Sequence, residues 1–303
     1  MITAQHLVNV VLAEAAREAR ADETMVLVTD RVEATLRWAG NSMTTNGVSV
    51  SRNLAVISIV RHGDSSYIGT VVSGEVDPSV IRGLVAASEE AAQCAPEAGD
   101  AAPLIADTGV PADWDAPVPG TSAEVFADVA SSLSRGFAGA DQLYGFAHHS
   151  LSTTFLASST GLRRRYTQPT GGVEINAKRG EASAWAGVGT PDFVDVPTDA
   201  MLEDLSTRLG WAARSVELPA GRYETIMPPS TVADMMIHLA WRMSGRGAQE
   251  GRTDRRTTSA ANRSAAPPPA SHRRAPRMPS GPPARPARTS SMPGGSSCRP
   301  PWT

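Results

Sequence analysis

Apolar and polar positions change period along this chain, and the changes mark out its elements. Over residues 3–20, Val8, Val11, Leu12 and Ala15 recur at helical spacing behind Thr3, a capping residue. That pattern predicts an amphipathic helix with His6 on its first turn. Period-two alternation and β-branched residues then take over. Residues 24–28, 32–38, 47–51, 54–61 and 66–72 read as strands, with turns at Asn46-Gly47 and His62-Gly63-Asp64. Asp77-Pro78, a cap followed by a first-turn proline, opens a helix that runs to about Cys94.

The succession repeats after residue 120. Thr121 and Glu124 have capping-box spacing for a helix to about Gly136. Strand-like runs follow over 142–150, 153–158, 162–167, 173–178 and 182–187, and Thr198 caps a helix to Arg214. A strand over 222–227 leads into Pro228-Pro229 and a last helix with the apolar stripe Val232, Met235, Met236, Leu239 and Met243. The fold class expected is α+β, with strand-rich antiparallel or mixed sheets and flanking helices. The expected organisation is an N-terminal domain over 1–95, a Pro/Ala/Gly/Asp-rich linker over 96–120 and a central domain over 121–218. The start of a third domain follows over 219–253, then a disordered Arg/Pro-rich tail over 254–303.

Composition narrows the function classes. No run approaches the roughly 18–20 apolar residues that span a bilayer, and the first residues lack the basic start and apolar block of a secretory leader. Two cysteines, Cys94 and Cys298, make neither a disulfide framework nor a multi-cysteine zinc site. The expected location is cytoplasmic, with no membrane partner. Residues 254–303 hold nine Arg, no Lys and one acid, a net of +8, which leaves −11 of the total −3 on residues 1–253. An acidic body is a poor surface for nucleic acid, so only the tail could make that contact.

Candidate chemistry is sparse. His6 has no second ligand one turn away, and Cys94, among alanines, reads as a small buried or half-buried thiol. His148-His149, placed at a strand end, would point to opposite faces and not share a metal. Arg163-Arg164-Arg165 could grip a carboxylate or phosphate, though a solvated face is the plainer reading. Phosphate-binding loops, dinucleotide glycine patterns and a serine nucleophile elbow are absent. By itself the last helix reads as a core helix with one satisfied histidine, His238.

The order of segments, with FLASSTGLRRRYTQPTGGVEINAK and RYETIMPPSTVADMMIHLAWRMSGRGAQEG, resembles the TldD/PmbA family over roughly residues 5–253. That family pairs a TldD-type metallopeptidase subunit with a PmbA (TldE)-type partner. In the TldD type this helix carries His-Glu-x-x-x-His: two imidazoles for zinc and a carboxylate to take a proton from bound water. Here the matching positions are His238, Leu239 and Met243. Leucine moves no proton and a thioether is a poor zinc ligand. The resemblance therefore implies a non-catalytic PmbA/TldE-like subunit with no catalytic, cofactor-binding or metal residue of its own. Zinc is expected only in a TldD-like partner, and unstructured peptide is the substrate of the complex. The alternative is a free-standing binding or regulatory module whose basic tail contacts nucleic acid.

The tail breaks the pattern. Residues 254–303 contain no Leu, Ile, Val, Phe or Tyr but eleven Pro, eight Ser and eight Ala. Such a segment cannot bury enough apolar surface to offset its ordering entropy. Its abrupt onset is expected of a shifted reading frame in a GC-rich gene, which would truncate the third domain and leave the Met/Leu stripe of the last helix exposed.

Overall fold

The computed structural model describes residues 2–247 apart from 107, 108, 140, 215 and 246. The expected tail, residues 254–303, lies outside the described residues, and so does its Cys298. The described chain falls into two units divided between Val216 and Glu217.

The first unit is built on long strands. Eight of the expected short runs fuse in pairs, into β1 (Glu23–Ala39), β2 (Ser42–His62), β4 (Gln142–Ser158) and β5 (Arg163–Arg179), while β3 (Ser65–Ser73) and β6 (Ala182–Gly189) each match a single run. They form one sheet in the order β3-β2-β1-β4-β5-β6, every neighbouring pair antiparallel. The fold class is therefore α+β with a purely antiparallel sheet. Because β1 pairs with β4 from Met25↔Ser158 to Trp38↔Gly145, the expected units 1–95 and 121–218 share that sheet.

Helices cover one face. α1 (Ala4–Glu18) begins as expected, the Thr3 hydroxyl accepting from the His6 N–H, and α2 (Pro78–Cys94) begins with Asp77 accepting from Ser79. Cys94 is exposed at the end of α2 instead of half-buried. A 3-10 turn, Ala123–Phe126, leads into α3 (Ala127–Phe137), and α4 spans Thr198–Ala212. Two caps differ from expectation. Ser122, not Thr121, accepts from the Glu124 N–H, and Pro197 stands at the cap of α4 with Thr198 inside its first turn.

The length of the strands has a physical reason: the same strands serve two cores end to end. One core sets Leu7, Val8 and Val11 of α1 and Ile81 and Val85 of α2 on Val26, Val28, Leu54, Val56 and Phe155. The other sets Val129 and Leu133 of α3 and Leu205 and Leu209 of α4 on Ala34, Leu36, Trp38, Val173 and Ile175. Even-numbered residues of β1 fill both, so a single alternation runs through the strand without a turn. At about 3.4 Å per residue, seventeen residues of β1 reach nearly 60 Å, enough for two helix layers in line.

The segment 95–120 is not a free linker. Trp114 is buried in the first core, edge-on to Phe155 at 5.4 Å, and its carbonyl accepts from Gln5 Nε2 at 2.7 Å. Glu97 bridges to Tyr67 beside β3. The segment is a strap over the helix face. In the second unit α5 spans Pro229–Arg242, but residues 222–227 form no strand, since no partner strand lies beside them among the described residues.

Candidate functional site

The helix singled out by its histidine comes first. Pro228, extended, and Pro229 in the first turn start α5 without a side-chain cap. His238 is exposed, and its one ring contact among the described residues is with Trp241, edge-on at 5.1 Å. Leu239 is half-buried, and Met243, one residue past the helix, is 56% exposed. Val232, Met235, Met236 and Trp241 are exposed too, so the stripe is an open apolar face within its unit and not the core helix its pattern suggests. Among the described residues no three His, Cys, Asp or Glu side chains gather where they could hold a metal. The residues of α5 do not fit a zinc site: one imidazole is present, and neither the second nor the carboxylate base stands at its position.

The paired histidines lie inside β4, not at a strand end, and as expected take opposite faces. His149, 7% exposed, is pinned at both nitrogens. The Pro191 carbonyl accepts from Nε2 at 2.9 Å, which leaves Nδ1 to accept the Thr121 hydroxyl at 2.6 Å. It ties the start of the 3-10 turn to the loop after β6, a structural role, and this is where the expected cap Thr121 is spent. His148 turns to the other face beside Phe146, its Nδ1 buried without a protein partner.

The arginine run is neither an anion grip nor wholly solvated. Arg165, its side chain 5% exposed, lies over the Phe155 ring at 5.4 Å and donates to the carbonyls of Asp113 and Pro117. It clamps the 95–120 strap. Arg163 donates to the Ser158 and Leu162 carbonyls at the strand turn.

A site that the sequence reading missed lies at the first turn of α1. A cavity of about 480 Å³ opens between that turn, strands β1 and β2, and residues 115–120. Val32, Val50, Pro117 and Val118 wall it, and an ion pair, Asp30 with Arg52, lies across its floor. The two are direct cross-strand partners. Both Nε and Nη2 of Arg52 donate to the carboxylate, the second at 2.7 Å, and Nη1 donates to the Ile2 carbonyl at 2.6 Å. The Asp30 hydrogen bonds hold the guanidinium above its already high range, against the opposing effect of burial. One signal could have found the pair: Asp30 falls in the inward even-numbered row between Val28 and Val32, where an unpaired carboxylate is costly.

With this geometry in view, three solved structures share the architecture. A TldE from Thermococcus kodakarensis superposes with a TM-score of 0.52 at 12% identity, over 68% of this chain and 48% of its own. A proposed modulator of a DNA gyrase from Thermotoga maritima gives a TM-score of 0.64 at 12% identity, over 84% and 59%. The chain has the TldD/PmbA family fold. A proposed modulator of DNA gyrase from Bacteroides thetaiotaomicron, with a TM-score of 0.59 at 10% identity over 82% and 60%, shares this TldD/PmbA fold. The chain spans about half to three fifths of the length of these structures. No family model and no curated protein matches the sequence. No described helix is long and apolar enough to cross a membrane.

Proposed function

We propose that the chain is a non-catalytic, TldE-type subunit of a cytoplasmic peptidase complex, paired with a TldD-type subunit that holds the zinc and cuts unstructured peptides. One observation carries the reading. What supports it is the resemblance of α5 to the TldD-type ligand helix: at the positions of that helix's first imidazole, base and second imidazole this chain has His238, Leu239 and Met243. A leucine side chain offers no proton acceptor, and one imidazole with an exposed thioether does not hold a catalytic zinc. The chemistry then belongs to the partner, and this subunit contributes surface. Co-expression with a TldD-type subunit tests the pairing. The two chains are expected to co-elute in size-exclusion chromatography at fixed stoichiometry, and two independent peaks at micromolar concentration would refute it.

A further inference from the structure

β2 has two halves. From Leu54 onward it lies between β1 and β3; from Ser42 to Arg52 it has β1 on one side and, among the described residues, no strand on the other. In an antiparallel pair every second residue turns its N–H and C=O away from its partner, so this stretch offers a row of unclaimed donors and acceptors. Proteins blunt such edges with charge, proline or bulges. The sheet does so elsewhere: the first half of β5, likewise without an outer strand among the described residues, carries Arg163, Arg164, Arg165 and Pro169. The β2 edge reads SMTTNGVSVSR, with no proline and no charge before Arg52, which is paired with Asp30, and its one register shift lies near the hairpin tip, opposite Arg37/Trp38. Val48 and Val50 stand exposed, Val50 at 70%.

The cavity adjoins this edge, since Val50 and Arg52 belong to both. A strand laid along β2 would send alternate side chains to the helix-bearing face, and one of them, level with Val50, would enter the cavity. The walls are mainly apolar, the Asp30 and Arg52 charges are already paired and the third charge in the lining, Asp115, is exposed, so an uncharged side chain fits.

We infer that the Ser42–Arg52 edge binds an extended, uncharged peptide by strand addition, with one apolar side chain seated in the cavity beside Val50. The inference rests on the peptide-handling reading above and gives this subunit the task of holding substrate extended. A second copy of the chain would satisfy the same backbone groups, but two β2 edges paired about their middle, Gly47, would set the small polar Thr44 level with Val50, whereas a peptide can offer the cavity a larger apolar side chain.

The probe is a fluorescein-labelled decapeptide of alternating Thr and Gln with one central Phe, titrated by anisotropy onto the full chain. Saturable binding is expected. It should weaken about tenfold or more when the peptide backbone is N-methylated, and by a similar factor in Val48→Lys/Val50→Lys. Replacing the central Phe by Asp should weaken it several-fold. The methylated probe leaves the protein untouched, so a folding defect in the variant does not blur the result. Equal binding of methylated and unmethylated probes, or no saturable binding, overturns the inference. Concentration-dependent dimerisation abolished by the two lysines overturns it in favour of a second copy. Co-elution with a TldD-type subunit is scored separately. Its loss with probe binding kept refutes the subunit reading alone, and the reverse refutes the edge alone.

Discussion

Glu89 on α2 is 1% exposed, and its carboxylate has no side-chain hydrogen-bond partner among the described residues, only the backbone N–H of Arg20 nearby. Burial pushes its pKa up from about 4.5; Glu18 adds a smaller push, and Arg20 offsets part of it. A raised folded-state pKa means the native state holds its proton more tightly than the unfolded chain. Stability from this site is therefore fullest below about pH 4.5 and falls as pH rises through the folded value. Burying a carboxylate with so little pairing costs more at neutral pH than burying the neutral amide, by about 2 kcal/mol. Glu89→Gln should therefore stabilise by about 2 kcal/mol at pH 7.5, or about 4–8 °C in Tm for a unit of this size. At pH 4 the difference should vanish, because the native carboxyl is then neutral. Thermal melts of both proteins from pH 4 to 8, followed by circular dichroism, measure this directly. A variant less stable at pH 7.5, or a gap that does not change with pH, would refute the reasoning.

Other sites give equally definite expectations. Asp30→Asn leaves Arg52 buried beside a neutral group and should cost about 3 kcal/mol in urea unfolding, while Asp30→Leu with Arg52→Met should recover most of it. Near-zero loss in the single variant would show the pair to be solvated. Gly69→Ala should cost about 3 kcal/mol, because an added Cβ would lie 2.1 Å from the Ser88 carbonyl oxygen where α2 lies against β3. A melt unchanged by that alanine would mean the helix sits farther out.

The parts of the fold that were legible follow local chemistry. The caps Thr3 and Asp77-Pro78 and the period of α1 need no tertiary knowledge. What was illegible was continuity. Asp30 and Arg31 fall in the gap between the expected strands 24–28 and 32–38, yet β1 runs straight through them because Asp30 meets Arg52 across the strand. Pro169 falls in the gap between the expected strands 162–167 and 173–178, yet it sits opposite Leu151 in β5, tolerated because its other side is an edge. With those breaks inserted, one long-stranded sheet looked like two domains of short strands. The composition of 95–120 likewise hid Trp114 as a core residue and Arg165 as the clamp on its strap. The Asp30–Arg52 cavity was not legible, since its two charges lie 22 positions apart and meet only through strand register.

The most direct measurement of the central claim is peptide cleavage and zinc content in the reconstituted pair. The complex of this chain with a TldD-type subunit should cleave an unstructured hexapeptide and contain zinc only as long as the partner's ligands are intact. His238→Ala in this chain should leave both unchanged. Zinc bound stoichiometrically to this chain alone and lost on His238→Ala, or cleavage abolished by that substitution, would contradict the account.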